Sequence, residues 1–487
     1  MSEKSVEKNY LYNLIYQLLL AIVPLITTPY VSRALTAEGV GVFSYTTAMT
    51  SYFTLFGNLG IAIYGQLKVA ACRTDKEKVS KLFFELIILR AILMFIMIVV
   101  YLFFIFFVSS ESNRLIYIVL IVQILASLFD ISWFLQGVEE FKKLVIRNTV
   151  IKLINVVFIF LLIKKPSDLY LYAFIMNGSN LLGNLSIWMS LPRYISKIGL
   201  KELHPFRHLL PNIRYFIPAV ATAIYLTMDK TILGWFTTNS LENGFYEQAH
   251  KIEQMALTVV TSLSIVTMPR MAYLYQNCRI SEMKERLKNS VSFILMISIP
   301  MCFGLSAVSD SYIPLYLGKG YEKSTILLKI FSLLLIIVGL NNAIGKQVLM
   351  PTGRQKEYNR SVIIGACVNM TLNFVLIPRF FSIGATVSSI ISEAVILIIF
   401  LLESKDYIKG TWILKRSAKY ILGSFCMYLV LRFSSPFFAV NWFDLFLQIL
   451  IGVTVYFVII LLIRDDYAIS KLSRFYSQII RKKHNNA

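Results

Sequence analysis

The sequence predicts an all-α, polytopic membrane protein with about 14 transmembrane helices, and three observations predict it. Apolar residues make up 57% of the 487, more than the roughly 45–50% of an ordinary soluble domain. They are gathered into runs close to the roughly 20 residues that cross a hydrocarbon layer of about 30 Å. Lysine and arginine crowd into every second connection between those runs and are scarce in the others.

Taken in order, the spans are expected at 11–33, 39–64, 82–107, 115–135, 145–163, 169–189 and 213–236. They continue at 245–268, 290–308, 325–345, 361–377, 383–402, 418–433 and 443–463. The eighth is the most polar, because His250, Lys251 and Glu253 interrupt its first half. With the N-terminus inside, about 35 of the 48 Lys and Arg fall in inner segments and about 8 in outer ones. The formal charge of +21 is therefore mostly a topology signal, with both termini cytoplasmic. A nucleic-acid partner would need a folded soluble domain, and no connection is long enough to make one. The five cysteines lie far apart without metal-ligand spacing, so neither a metal nor a cofactor is expected.

Similar local texts recur six spans apart. Ala37-Glu38-Gly39-Val40-Gly41-Val42-Phe43 follows Pro24, and Ser240-Leu241-Glu242-Asn243-Gly244-Phe245-Tyr246 follows Pro218. A second echo links Gln136-Gly137 to Thr352-Gly353. An even number of crossings preserves orientation, so the repeat is parallel. The expected organisation is an N-terminal lobe at 1–190, an amphipathic cytoplasmic linker at 191–212 and a C-terminal lobe at 213–403. Two further helices at 404–465 and a basic cytoplasmic tail at 466–487 follow. Two pseudo-symmetric six-helix lobes around a central cavity is transporter architecture.

Ionisable groups deep in a bilayer are costly unless they face protein or water, so each is a functional candidate. Asp130, Asp229, Glu253 and Glu393 are the carboxylates placed to carry a coupling ion or to gate. Arg33, Lys68, Arg147, Lys152, Lys230 and Arg270 are cations near the two mouths, suited to a phosphate-bearing ligand through charge-assisted hydrogen bonds. Arg33, Arg147 and Arg270 equally fit snorkelling at span ends, and Asp130 equally fits a structural acceptor. Asn58, Asn177 and Asn180 suit sugar hydroxyls or serve as helix-helix glue. Pro24, Pro29 and Pro218, each lacking a backbone donor, are candidate hinges.

Several of these texts resemble the Wzx-type polysaccharide flippases of the multidrug, oligosaccharidyl-lipid and polysaccharide exporter superfamily. They are Pro24 to Leu35 with Glu38-Gly39-Val40-Gly41, Asn58-Leu59-Gly60-Ile61, Asp130 to Gly137, Asp229 to Gly234, and Met268-Pro269-Arg270. The resemblance runs over essentially the whole chain. It implies a non-enzymatic transporter in the bacterial plasma membrane that moves a polyprenyl-diphosphate-linked oligosaccharide to the outer leaflet by alternating access. Arg33, Lys68 and Arg270 then become the diphosphate contacts. Implied partners are membrane lipids, a polysaccharide polymerase and glycosyltransferases, with proton or sodium coupling. The absence of an arginine early in span one disfavours a peptidoglycan precursor. The alternatives are a cation-coupled drug antiporter of the same superfamily or a membrane polysaccharide polymerase.

Overall fold

The computed structural model describes residues 3–196, 198–237, 239–467 and 469, with side chains from Val23 onward apart from a few positions, mostly in 218–226 and 263–266. The expected basic tail lies almost wholly outside the described residues. The side chain of Pro218 does too.

The described chain is helical, without a strand. Its helices are α1 (Glu3–Asn58), α2 (Ile61–Cys72), α3 (Lys76–Phe103), α4 (Arg114–Leu128), α5 (Ser132–Gly137), α6 (Phe141–Leu162), α7 (Leu169–Trp188) and α8 (Leu209–Phe236). They continue as α9 (Leu241–Gln276), α10 (Ile280–Tyr316), α11 (Glu322–Phe331), α12 (Leu334–Ile344), α13 (Gln355–Glu403), α14 (Gly410–Ser434) and α15 (Trp442–Leu462). Among the described residues, nine helical stretches are long and apolar enough to cross a membrane. Two of them, Val23–Cys72 and Gln355–Glu403, hold 50 and 49 residues. At 1.5 Å per residue each would run about 75 Å if straight. They are not straight. Thr36 (φ 62°, ψ 172°) breaks α1 and Phe381 (φ 51°, ψ −128°) breaks α13. A left-handed φ at a β-branched or bulky residue costs about 1–3 kcal/mol and persists only where the surroundings impose it.

Span four, expected as one helix, is divided at Phe129–Ile131 into α4 and α5. The span-ten region is α11, α12 and a π-helical turn at Gly345–Leu349, a feature often found at functional sites. The linker consists mainly of short 3-10 turns at Leu191–Arg193, Leu200–Glu202 and Pro205–His208.

The chain separates into two compact units, 1–247 and 248–487. In the first, Leu35, Tyr101, Tyr117, Ile124 and Ile163 form one buried cluster, and Ile61, Phe83, Leu86, Trp133 and Phe134 form another. In the second, Leu287, Ile294, Ala343, Val348, Tyr420 and Ile460 anchor the core. The outer surfaces carry large apolar side chains such as Phe103, Phe107, Phe433 and Leu462. On a soluble protein so much exposed apolar surface would drive association; here it faces acyl chains.

Candidate functional site

The tightest helix crossing in the first unit joins α1, just past its break, to the start of α9. A Cβ on Gly41 would lie 1.7 Å from the Ser240 carbonyl oxygen, and one on Gly244 would lie 1.9 Å from the Ala37 carbonyl oxygen. Ala37 stands one helical turn before Gly41, as Ser240 stands one turn before Gly244. Each glycine therefore receives the other helix's backbone in the same way. No side chain fits there. One turn further on, Ser44 Oγ donates to Glu247 Oε2 at 2.8 Å. Lys230 Nζ lies 2.5 Å from the same carboxylate oxygen. Tyr246 donates its hydroxyl to Asp229 Oδ2 at 2.6 Å. Adjacent residues on α8 point about 100° apart, so Asp229 and Lys230 reach two different partners on α9.

A second network surrounds the break between α4 and α5. Arg90, 3% exposed on α3, donates to the Asp130 carbonyl and, at 2.5 Å, to Asn58 Oδ1. Asn58 donates to Ser127 Oγ at 2.8 Å. The Asp130 carboxylate accepts the backbone N–H of Ser132 at 2.9 Å and also its hydroxyl, satisfying a donor at the partly buried start of α5. Arg147 donates to Ser132 Oγ at 3.3 Å and to Asn184 Oδ1 at 2.8 Å, and also to Asn148. Asp130, Asn58 and Arg147 thus meet at one junction. With Lys143, Arg147 also lines a largely apolar 510 Å³ groove between α6 and α7.

The linker is tied down by a fully buried carboxylate. Glu85 accepts from the His204 backbone N–H (2.9 Å) and from Arg207 Nη2 (2.5 Å), and lies 2.9 Å from His208 Nε2. The other ring nitrogen of His208 is 2.9 Å from the Tyr64 hydroxyl. A neutral ring donating to Glu85 and accepting from Tyr64 satisfies both contacts. Burial lowers the His208 pKa, and Glu85 opposes that shift.

In the second unit, Glu253 is fully buried. Its Oε2 accepts from Gln254 at 3.0 Å, whereas its Oε1 has no hydrogen-bond partner among the described residues. Glu393 accepts from Asn341 Nδ2 at 2.7 Å. Gln347, on the π-helical turn, donates to Ser264 and Ser290. Arg270, Arg279 and Arg286 converge on Glu282, with nitrogens within 3.7 Å of its carboxylate. Three cations sharing one anion leave an excess of positive charge. Arg416 grips the buried Asp465 through both terminal guanidinium nitrogens, Nη1 and Nη2, at 2.9 Å.

The remaining expected residues are more dispersed. Arg33 and Lys68 are exposed, the latter 5.9 Å from the Tyr64 ring centre. Lys152 is half-buried. Asn177 and Asn180 donate to the carbonyls of Ala173 and Met176 within their own helix. α1 continues through Pro24 and Pro29.

Comparison with known proteins now bears on the whole chain. Residues 6–275 match the profile of a family described as polysaccharide biosynthesis protein. The chain belongs to that family. A relative in Escherichia coli (strain K12), named as an O-antigen transporter, is 23% identical over 395 residues, covering 80% of this chain and 95% of the relative. Among solved structures, a lipid II flippase, MurJ, in an inward closed conformation superposes with a TM-score of 0.75 at 17% identity, covering 97% of this chain and 100% of that one. An inward-facing multidrug resistance MATE transporter of the MOP superfamily matches with a TM-score of 0.58 at 13% identity, over 82% and 99%. At such identities the structural likeness shows the fold, a polytopic membrane fold, and it agrees with the family.

For this polysaccharide biosynthesis protein the sequence reasoning passed over Glu85, Arg90 and Glu247. The signal was present. Phe83-Phe84-Glu85-Leu86 and Leu89-Arg90-Ala91 put ionisable groups inside an apolar run, which is the pattern that singled out Asp130. Glu247 directly follows the second copy of the repeated text.

Proposed function

We propose that this chain is a multi-pass flippase that carries a polyprenyl-diphosphate-linked oligosaccharide from the cytoplasmic to the outer leaflet of a bacterial plasma membrane. Fourteen crossings follow if the two broken stretches each cross twice and α7, α8 and α14 also span. Both termini are then cytoplasmic. The family and its named transporters support the class, and the self-similar crossing of α1 and α9 carries the mechanism. It lies at the end of the helices that the charge pattern assigns to the outside. Among its contacts are the hydrogen bond from Ser44 to Glu247 and, from α8, the ion pair of Lys230 with the same carboxylate, and such polar contacts can open and reclose without remaking a core.

In this reading the Gly41–Gly244 crossing is the outer closure of an alternating-access cycle, with Pro24, Pro29 and Pro218 as hinges. The arginines around Glu282 and, separately, Lys68 attract the diphosphate on the side that the charge pattern assigns to the cytoplasm, and Arg33 meets it at the outer end of span one. Asp229 and Glu253 are the carboxylates through which a proton or sodium gradient biases the two states. Asn58 and Arg147 are assigned to the helix junction. A polymerase and glycosyltransferases act after and before this step.

The test is reconstitution into liposomes bearing a fluorescent prenyl-diphosphate oligosaccharide on one leaflet. Protein-dependent appearance of the probe on the other leaflet, absent for a bare prenyl phosphate, supports the flippase. No crossing under an imposed proton or sodium gradient rejects it, and favours the antiporter that the buried Glu253 would also serve.

A further inference from the structure

The first unit contains a cavity of 670 Å³ that none of the assignments above uses. It opens among the second half of α1, residues 104–113, the start of α7 and the end of α8. Every one of those segments lies at or beside a connection that the charge pattern assigns to the outside. Its volume falls within the roughly 300–1,000 Å³ typical of small-molecule sites.

The chemistry of its wall is unusual for a protein whose outer surface is apolar. Tyr45, Tyr170 and Trp235 contribute aromatic faces. Glu38, Asn113 and Asn239 contribute a carboxylate and two amides. Glu38 and Asn239 are exposed and Asn113 and Tyr170 half-buried in the cavity wall, which leaves their polar groups within reach of an occupant. No lysine or arginine lines the cavity. That composition excludes three classes of occupant. A lipid tail would bury unsatisfied amides and hydroxyls. A diphosphate would meet Glu38 with no cation to offset it. A nucleic acid would find no basic track.

What fits is a neutral molecule with apolar C–H faces and a dense rim of hydroxyl groups. Flat aromatic rings receive the C–H faces, and carboxylate and amide groups exchange paired hydrogen bonds with neighbouring hydroxyls. We propose that this cavity is an outer saccharide site, which holds the glycan of the lipid-linked unit once it has reached the outer side. This inference rests on the flippase reading for its location and for the source of its ligand. The cavity adjoins the glycine crossing through Ser240. A glycan seated there sits beside the outer closure.

The experiment uses the full-length protein in lipid nanodiscs, where both faces are open to solvent. The probe is the oligosaccharide freed by mild acid from lipid-linked precursors extracted from the producing cells. Binding is followed by saturation-transfer NMR and by tryptophan fluorescence. Saturable binding is expected, weakened at least about tenfold by Tyr170→Leu and by Glu38→Gln, which is about 1.4 kcal/mol. Trp235→Phe should remove most of the fluorescence response. Glu38→Gln is nearly isosteric at an exposed position, so it keeps the test decisive even if Tyr170→Leu does not fold.

Absence of binding overturns the proposal, as does binding that survives both substitutions. Preferential occupancy by tetraphenylphosphonium, a hydrophobic cation that an aromatic site with one carboxylate could also hold, overturns it as well. The liposome assay separates the two levels. Flipping without binding of the free glycan rejects the saccharide site alone, and loss of both rejects the flippase reading as well.

Discussion

Ser44 and Glu247 hold the same place in two copies of one helical text, and they are bonded to each other, Oγ to Oε2 at 2.8 Å. The glycines one turn earlier, Gly41 and Gly244, are separated by the same interval and receive each other's helix backbone. Here the two copies of the text meet backbone against backbone, and that sets the first expectation.

Gly41→Ala and Gly244→Ala should each destabilise the protein by about 1–3 kcal/mol, the usual range for overpacking. The added carbon would meet backbone, which cannot swing away. Thermal unfolding in detergent measures this, and a cysteine at Ser240 should become more reactive to an external thiol reagent. Unchanged stability together with unchanged reactivity would remove the closure from the account.

Glu247→Gln retains an oxygen for Ser44 but leaves Lys230 without its counter-charge. A loss of about 1–3 kcal/mol is expected, below the 3–5 of a fully buried pair, because the two side chains are 21% and 12% exposed. Adding Lys230→Met should recover part of it. A double-mutant cycle with no coupling would show that the pair contributes nothing.

Asp130→Asn separates a helix cap from an ion carrier. Asparagine can still accept from the Ser132 N–H, so a capping role predicts near-normal folding and flipping. If flipping falls while the protein still folds, Asp130 carries charge in the cycle. Arg90→Met, in contrast, strands the Asp130 carbonyl and Asn58 and should lower expression sharply.

The linker should loosen in acid. His208 faces Glu85 on α3, Arg207 beside it and Tyr64 on α2, with Lys68 nearby. Its docked pKa is depressed, so the docked state binds fewer protons than the free one. Docking is therefore fully stable above the ordinary value of about 6.5 and weakens as pH falls below it. Proteolysis at residues 198–204 should be steady from about pH 7.5 to about 6.5 and speed up as the pH falls further, and His208→Gln should flatten that dependence.

Arg270→Ala and Lys68→Ala should each reduce flipping of the diphosphate-linked probe while leaving membrane insertion intact, more steeply at low salt than at high. Normal flipping by both would sink the diphosphate assignment.

The class of fold was legible in the sequence because bilayer thickness and loop charge act on runs of residues, and runs survive without coordinates. The repeated glycine text was legible as an echo. That the two copies meet was not, because contact across 203 positions depends on how helices pack. Asp130 was visible as an acid in an apolar run, but its work as a cap depends on the break beside it. Arg90 and Glu85 were visible by the same rule and went unused. The cavity lined by Glu38, Tyr170 and Trp235 had no signature, since its wall comes from four separated segments.

The mutual crossing also bears on ancestry. Had a half-length ancestor paired with itself by this contact, a twofold axis would have set each residue at the position of Ser44 against its own copy. Two acids there would repel, and two serines would leave the lysine without an anion. A serine facing a glutamate is open only to a chain that carries both halves and lets them diverge. On that view, fusion of the halves freed a symmetric joint to become a polar lock with two unlike sides.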